Sequence, residues 1–264
     1  MSYIEVDSIT KKYSDVIALN NVSFSIQKGE LFCLLGENGA GKTTLIRILS
    51  TLVKPTDGNV FIKNQKNIYN NRLIKRYLGT VTDSAKPYPN LTVKENIDFF
   101  SLMYSNNASV KNDRTEALIN LLELEEYTDK KVDLLSKGNK QKVAIAKALC
   151  GEPEILIFDE PMSGLDVGTQ KTIRGLMSRL QKNGKTIIFS SHNMEEVRKI
   201  ADRICILNKG SIVYDGYLSD IKNEERVTYL ENMLTRKGWI FCYYWRLYLK
   251  KRWCSILGIG NHGG

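Results

Sequence analysis

The chain has 264 residues, 42% of them hydrophobic, and a formal net charge of +9. That length and apolar content suffice for a substantial core. The five cysteines (Cys33, Cys150, Cys205, Cys242, Cys254) show neither close pairing nor metal-ligand spacing, which argues against a disulfide framework and fits a reducing cytoplasm. No run reaches the roughly 18–20 apolar residues of a membrane span, and the N-terminus lacks the charged-then-apolar pattern of a signal peptide.

In chain order, Tyr3 to Ile26 and Asn59 to Ile62 read as antiparallel strands, with a turn at Lys28-Gly29. Leu31 to Leu35 is an apolar run with the character of a buried strand. It leads into Gly36-Glu37-Asn38-Gly39-Ala40-Gly41-Lys42-Thr43, which fits the phosphate-binding pattern G-x-x-x-x-G-K-[ST]. Glycines let such a loop curl so that successive N–H groups point at phosphate oxygens, and the positive end of the helix expected over Thr43 to Ser50 adds to that field. Lys42 is placed to reach the β- and γ-phosphates and Thr43 to offer its hydroxyl to Mg²⁺, so the chain reads as a nucleotide binder.

Leu78 to Val81 is a short strand before Thr82-Asp83-Ser84. A helical insertion is expected from about 84 to 151: Val93 to Tyr104 and Asp113 to Leu124 carry apolar residues at helical spacing, and Pro87 and Pro89 break its entry. Leu135-Ser136-Lys137-Gly138-Asn139 stands before a helix expected over Lys140 to Cys150, giving a second helix N-terminus suited to phosphate. Ile155 to Phe158 is an apolar strand ending in Asp159 and Glu160. The first carboxylate suits Mg²⁺, and the second can orient and deprotonate a water. A turn follows at Ser163-Gly164-Leu165-Asp166. Thr186 to Phe189 is another apolar strand, ending in Ser190-Ser191-His192. Arg203 to Leu207 and Ser211 to Tyr214, joined at Lys209-Gly210, read as a closing hairpin. Strands alternating with helices make an α/β fold.

In this order the set resembles the ATPase subunit of an ABC transporter over about residues 3–222. The resemblance implies a P-loop NTPase core with an N-terminal antiparallel β subdomain and an inserted α-helical subdomain. It implies ATP and Mg²⁺, with Tyr13 stacking on adenine beside Val16 and the loop from Gly36 to Thr44 on the phosphates. Thr43 and Asp159 then hold the metal, Glu160 is the general base, Lys42 stabilises the phosphates and His192 contacts the γ-phosphate. Ser136, Lys137, Gly138 and Asn139 form the signature, which meets the ATP of a partner subunit in a head-to-tail homodimer or heterodimer. The expected partner is a separate membrane permease, driven from the cytoplasmic face of the membrane, and no nucleic acid is expected.

Two departures bear on this likeness. Asp83 stands where the family usually has a glutamine; a carboxylate keeps an oxygen donor for Mg²⁺ and adds charge beside the γ-phosphate. The signature has Lys137 for the usual first glycine, a positive charge expected near a phosphate, and Asn139 for the usual glutamine. The Leu-Ser-Lys-Gly form is shared with sodium- and drug-export ATPases, which points to export. A regulatory ABC module that signals to a membrane partner, and a non-transport ABC protein, are the alternatives.

Residues 223–264 form a separate tail. From position 235 it carries Arg236, Lys237, Arg246, Lys250, Lys251 and Arg252 with no Asp or Glu, and so supplies +6 of the net +9. Trp239, Tyr243, Trp245 and Trp253 interleave with these cations, as in segments that lie at a lipid interface. A disordered extension unrelated to the fold is the other reading.

Overall fold

The computed structural model describes residues 2–66, 71–82, 86–104 and 108–220, the side chains of 108–112 excepted. Asp83 and the tail from 221 onward, with Cys242 and Cys254, lie outside the described residues. The chain divides into two compact units after Leu218, and the fold and the site belong to the first of them.

The N-terminal part is β1 (Ile4–Tyr13) and β2 (Val16–Ile26), an antiparallel hairpin. Next come β3 (Leu31–Leu35), α1 (Lys42–Leu49), β4 (Asp57–Ile62) and the two-residue β5 (Gln65–Lys66). A short α2 (Arg72–Lys75) and β6 (Leu78–Val81) precede three helices, α3 (Val93–Leu102), α4 (Ala108–Leu121) and α5 (Lys137–Leu149). The chain then runs through β7 (Ile155–Phe158), α6 (Val167–Lys182), β8 (Thr186–Ser191), α7 (Met194–Arg198), β9 (Arg203–Asn208) and β10 (Ser211–Tyr217).

Two sheets result. One is antiparallel, in the order β2-β1-β4-β5, and the other runs β10-β9-β3-β8-β7-β6, parallel except for β10. Their sequences differ as burial demands. In β1 the buried Ile4, Val6 and Ile9 alternate with exposed positions, whereas β3, β7 and β8 are buried at every residue, which is why they read as unbroken apolar runs. Side chains such as Leu34, Phe158 and Phe189 are fully buried and contribute roughly 1.5–3 kcal/mol each. Phe24 of β2 stacks on Phe32 of β3 at 5.1 Å, joining the two sheets through one core.

The parallel strands end together, and the loops leaving β3, β7 and β8 at their carboxyl ends carry Gly36 to Gly41, Asp159 to Asp166 and His192. Ligands of open α/β sheets gather at such an edge. Several elements differ from expectation, among them the short helices α2 and α7, which the sequence expectations did not include. Helix α5 begins at Lys137, three residues before the expected Lys140, because Ser136 serves as its N-cap. Helix α4 begins at Ala108 rather than Asp113. Helix α6 has no counterpart among the sequence expectations; Asp166 caps it and Ile173, Leu176, Met177 and Leu180 form its buried stripe.

Candidate functional site

The loop after β3 turns into α1 at Gly41, whose φ of +106° lies where L side chains rarely go. A Cβ at this position would stand 2.6 Å from the Ala18 carbonyl oxygen, so β2 and the loop approach each other as closely as a bare backbone allows. No side chain caps α1 among the described residues, and its first turn holds no acid. Its leading N–H groups therefore keep their capacity for an incoming anion.

Lys42 is buried, 4% exposed, and bends back over its own loop. Its Nζ donates to the carbonyl oxygens of Gly36 at 2.7 Å and Glu37 at 3.0 Å, and it lies 3.4 Å from Glu160 Oε1. The Thr43 hydroxyl donates to Asp159 Oδ1 at 3.3 Å, bringing the loop and the end of β7 together.

Phe158 pairs with Phe189 in the parallel register, which sets Ser190 beside Asp159. The Ser190 hydroxyl donates to Asp159 Oδ1 at 2.7 Å and accepts the Glu160 N–H at 2.8 Å. These bonds fix two neighbouring carboxylates. They also hold Glu160 at φ +46°, a left-handed conformation that a glutamate keeps only when its surroundings enforce it. His192 Nδ1 is 3.1 Å from Glu160 Oε2, and with an ionised carboxylate it is the Nδ1–H that donates. Glu160 thus stands between an ammonium on one oxygen and an imidazole on the other.

Beside this cluster opens a cleft of about 390 Å³. Val16, Ile17 and Ala18 of β2 line it together with Asn38, Gly39 and Thr44. Lys209 also lines it, brought there by the β9–β10 turn, where the Gly210 N–H donates to the Ala40 carbonyl at 3.0 Å. Sequence reading missed Ile17, Ala18, Lys209 and the bridging role of Ser190. Tyr13 pairs with Val16 across the hairpin, with Lys11 4.8 Å over its ring, and stands outside the lining of this cleft.

The second helix start is built otherwise. Ser136 Oγ accepts the Asn139 N–H at 3.2 Å and so caps α5. Gly138 is buried, while Ser136 and Lys137 are exposed. Lys137, expected as a positive charge beside a phosphate, turns to its own chain and donates to the Ser163 carbonyl at 2.8 Å. Lys137 and Ser163 line a cavity of about 660 Å³ together with Thr43, Asp159 and Glu160. Ser136 and Gly138 reach neither this cavity nor the cleft.

The chain matches the ABC transporter family profile over residues 19–163. It is 35% identical over 228 residues to the ABC transporter ATP-binding protein NatA of Bacillus subtilis, covering 84% of this chain and 93% of NatA. It is equally 35% identical over 232 residues to the spermidine/putrescine import ATP-binding protein PotA of Mycoplasma capricolum, covering 88% of this chain and 66% of PotA. Identity to a protein named for import thus matches that to NatA, and the expectation of export has no support from relatives. Among solved structures, the dimeric, ADP- and phosphate-bound form of the ATP-binding cassette MJ0796 is similar with a TM-score of 0.75 and 30% identity, covering 81% of this chain and 98% of that one. CbiO1 from Clostridium perfringens, part of an ABC transporter complex, gives a TM-score of 0.77 at 27% identity, over 91% of this chain and 98% of CbiO1.

Proposed function

The chain belongs to the ABC transporter family of ATP-hydrolysing, ATP-binding subunits, and on that premise we propose that its strand-edge cluster hydrolyses MgATP between two head-to-tail copies to drive a separate membrane permease. The observation that carries this reading is the convergence of Lys42 and His192 on Glu160, beside the Thr43–Asp159 pair that Ser190 ties to the Glu160 backbone.

Nucleotide phosphates draw Lys42 Nζ away from the Gly36 and Glu37 carbonyls, and the open N–H groups of α1 orient the β- and γ-oxygens. Thr43 and Asp159 offer hard oxygens side by side, the donor type that suits Mg²⁺, an ion that keeps water and phosphate in the rest of its shell. When bound there, the ion supplies charge that neutralises the phosphate oxygens. Glu160 takes the proton of the attacking water, held in place by Ser190 at its N–H and by His192 at its carboxylate. Ser136 and Gly138 of one subunit complete the site by meeting the γ-phosphate held by the other.

No helix among the described residues is long and apolar enough to cross a membrane, and in this scheme the subunit meets the inner face of the membrane through its permease. The test is Glu160→Gln, which should bind ATP, hydrolyse it at least roughly 10²-fold more slowly, and accumulate as an ATP-bound dimer. Undiminished turnover removes Glu160 from the role of base.

A further inference from the structure

The start of α5 is fastened to the turn that follows Glu160. Lys137 Nζ donates to the Ser163 carbonyl and lies directly over Gly164, where a Cβ would stand 2.5 Å from that nitrogen. Gly164 also has φ +66°, so both its backbone and its missing side chain admit the lysine. One residue further on, Gly138 packs on Thr169 so closely that a Cβ would come within 2.9 Å of its side chain. Thr169 is itself tied to Asp166, its N–H donating to Oδ1 at 2.9 Å and its hydroxyl to Oδ2 at 2.7 Å. On the other side of the turn the Ser163 N–H donates to the Glu160 carbonyl at 3.1 Å. Two hydrogen bonds therefore join the Lys137 ammonium to the backbone of Glu160, the residue whose left-handed conformation depends on its neighbours.

We infer that Lys137 is a positioning residue for Glu160, transmitting the engagement of its own Ser136–Gly138 segment to its own catalytic carboxylate. The inference rests on the head-to-tail reading, in which that segment meets the nucleotide held by the other subunit. A shift of the first turn of α5 on that contact pulls the Ser163 carbonyl and, through the Ser163 N–H, the backbone of Glu160. In the single chain the Lys137 bond is open to water, which competes for both partners, and it contributes little. Covering by the second subunit removes that water and strengthens the tie, so it acts when both sites are assembled.

The experiment separates a tie within the chain from a contact with phosphate. Lys137→Met keeps the aliphatic stem and loses the donor; Lys137→Arg keeps a donor. The ATP concentration that drives dimerisation is measured in a Glu160→Gln background by size-exclusion chromatography, and the hydrolysis rate is measured by single turnover with Glu160 intact. Lys137→Met should dimerise at the same ATP concentration and melt at the same temperature as its parent, yet hydrolyse about tenfold more slowly, and Lys137→Arg should recover most of that rate. Wild-type hydrolysis by Lys137→Met overturns the inference. So does a raised ATP requirement for dimerisation, which makes Lys137 a direct phosphate contact, or a lowered melting temperature, which makes it structural, or an arginine variant as slow as methionine. Failure of Glu160→Gln itself to slow hydrolysis or to dimerise overturns the reading of the site and the inference with it; a Glu160→Gln that behaves as expected beside an unaffected Lys137→Met overturns the inference alone.

Discussion

In the function proposed above, helices α1 and α5 both present an N-terminus to phosphate, and they are finished in opposite ways. Helix α1 starts from a left-handed glycine with no capping side chain, whereas α5 starts from Ser136, whose hydroxyl oxygen already accepts the Asn139 N–H. An uncapped start keeps several N–H groups and the positive end of the helix dipole for one anion, which makes α1 a socket complete within a single chain. A serine cap uses its oxygen as acceptor and still has its O–H hydrogen to donate. Helix α5 can therefore cap itself and touch a phosphate at the same time, but with one hydroxyl rather than a ring of backbone donors. On the proposed function this is a division of labour, in which α1 holds the nucleotide and α5 reports that a second subunit has closed on it.

The sharpest way to break this contrast is to put a side chain on the α1 start. Gly41→Ala adds a Cβ 2.6 Å from the Ala18 carbonyl and 2.9 Å from Leu19 Cδ2, in a backbone conformation that alanine resists. Strain and overpacking together should cost about 3 kcal/mol in urea unfolding and abolish ATP binding. A variant that binds ATP with stability near wild type would mean that the loop has room to spare and that α1 is no specialised socket.

Next in size is Ser136→Arg, which leaves α1 untouched. ATP affinity of the isolated subunit, measured by equilibrium dialysis, should stay nearly intact while dimerisation and turnover are lost. The milder Ser136→Ala should cost about 1 kcal/mol of stability, the usual worth of a helix cap. Loss of ATP binding in the isolated Ser136→Arg subunit would show that the socket is not complete in one chain.

How far the sequence carries depends on whether a feature is local. The unbroken apolar runs of β3, β7 and β8 follow from burial on both faces, and the Lys209-Gly210 turn announces its hairpin, so these elements were legible where they stand. The start of α5 was harder to see because Gly138 lies in its first turn, where glycine weakens a helix; its close packing on Thr169, a contact no local pattern encodes, leaves no room for a Cβ. Helix α6 had a readable signal in its Asp166 cap and the Ile173, Leu176, Met177, Leu180 stripe, diluted by Gly168 and Gly175. Ser190 and Lys209 belong to another class. Their places depend on which strand lies beside which, on the Phe158–Phe189 register and on the Gly210–Ala40 bond, and no local pattern encodes that adjacency. Asp83, the plainest departure from the family pattern, lies outside the described residues.

The smallest expected effect concerns Asp166, which caps α6 with a charge where α5 uses a neutral hydroxyl. The Thr169 hydroxyl, and then the Thr169 N–H, hold its carboxyl below the ordinary aspartate value of 3.8. A depressed value in the folded chain means that the carboxylate stabilises the fold above the ordinary value and that this contribution disappears as pH falls through the lower, folded one. Asp166→Asn keeps an acceptor for the Thr169 N–H but cannot titrate, so it isolates the charge. The stability gap between wild type and Asp166→Asn should be constant from neutral pH down to about pH 5 and close below about pH 4. The group is exposed, so added salt should narrow the gap at neutral pH. A gap that ignores both pH and salt would reduce Asp166 to a neutral cap like Ser136, and the 163–166 turn that receives Lys137 would then owe its shape to hydrogen bonds alone.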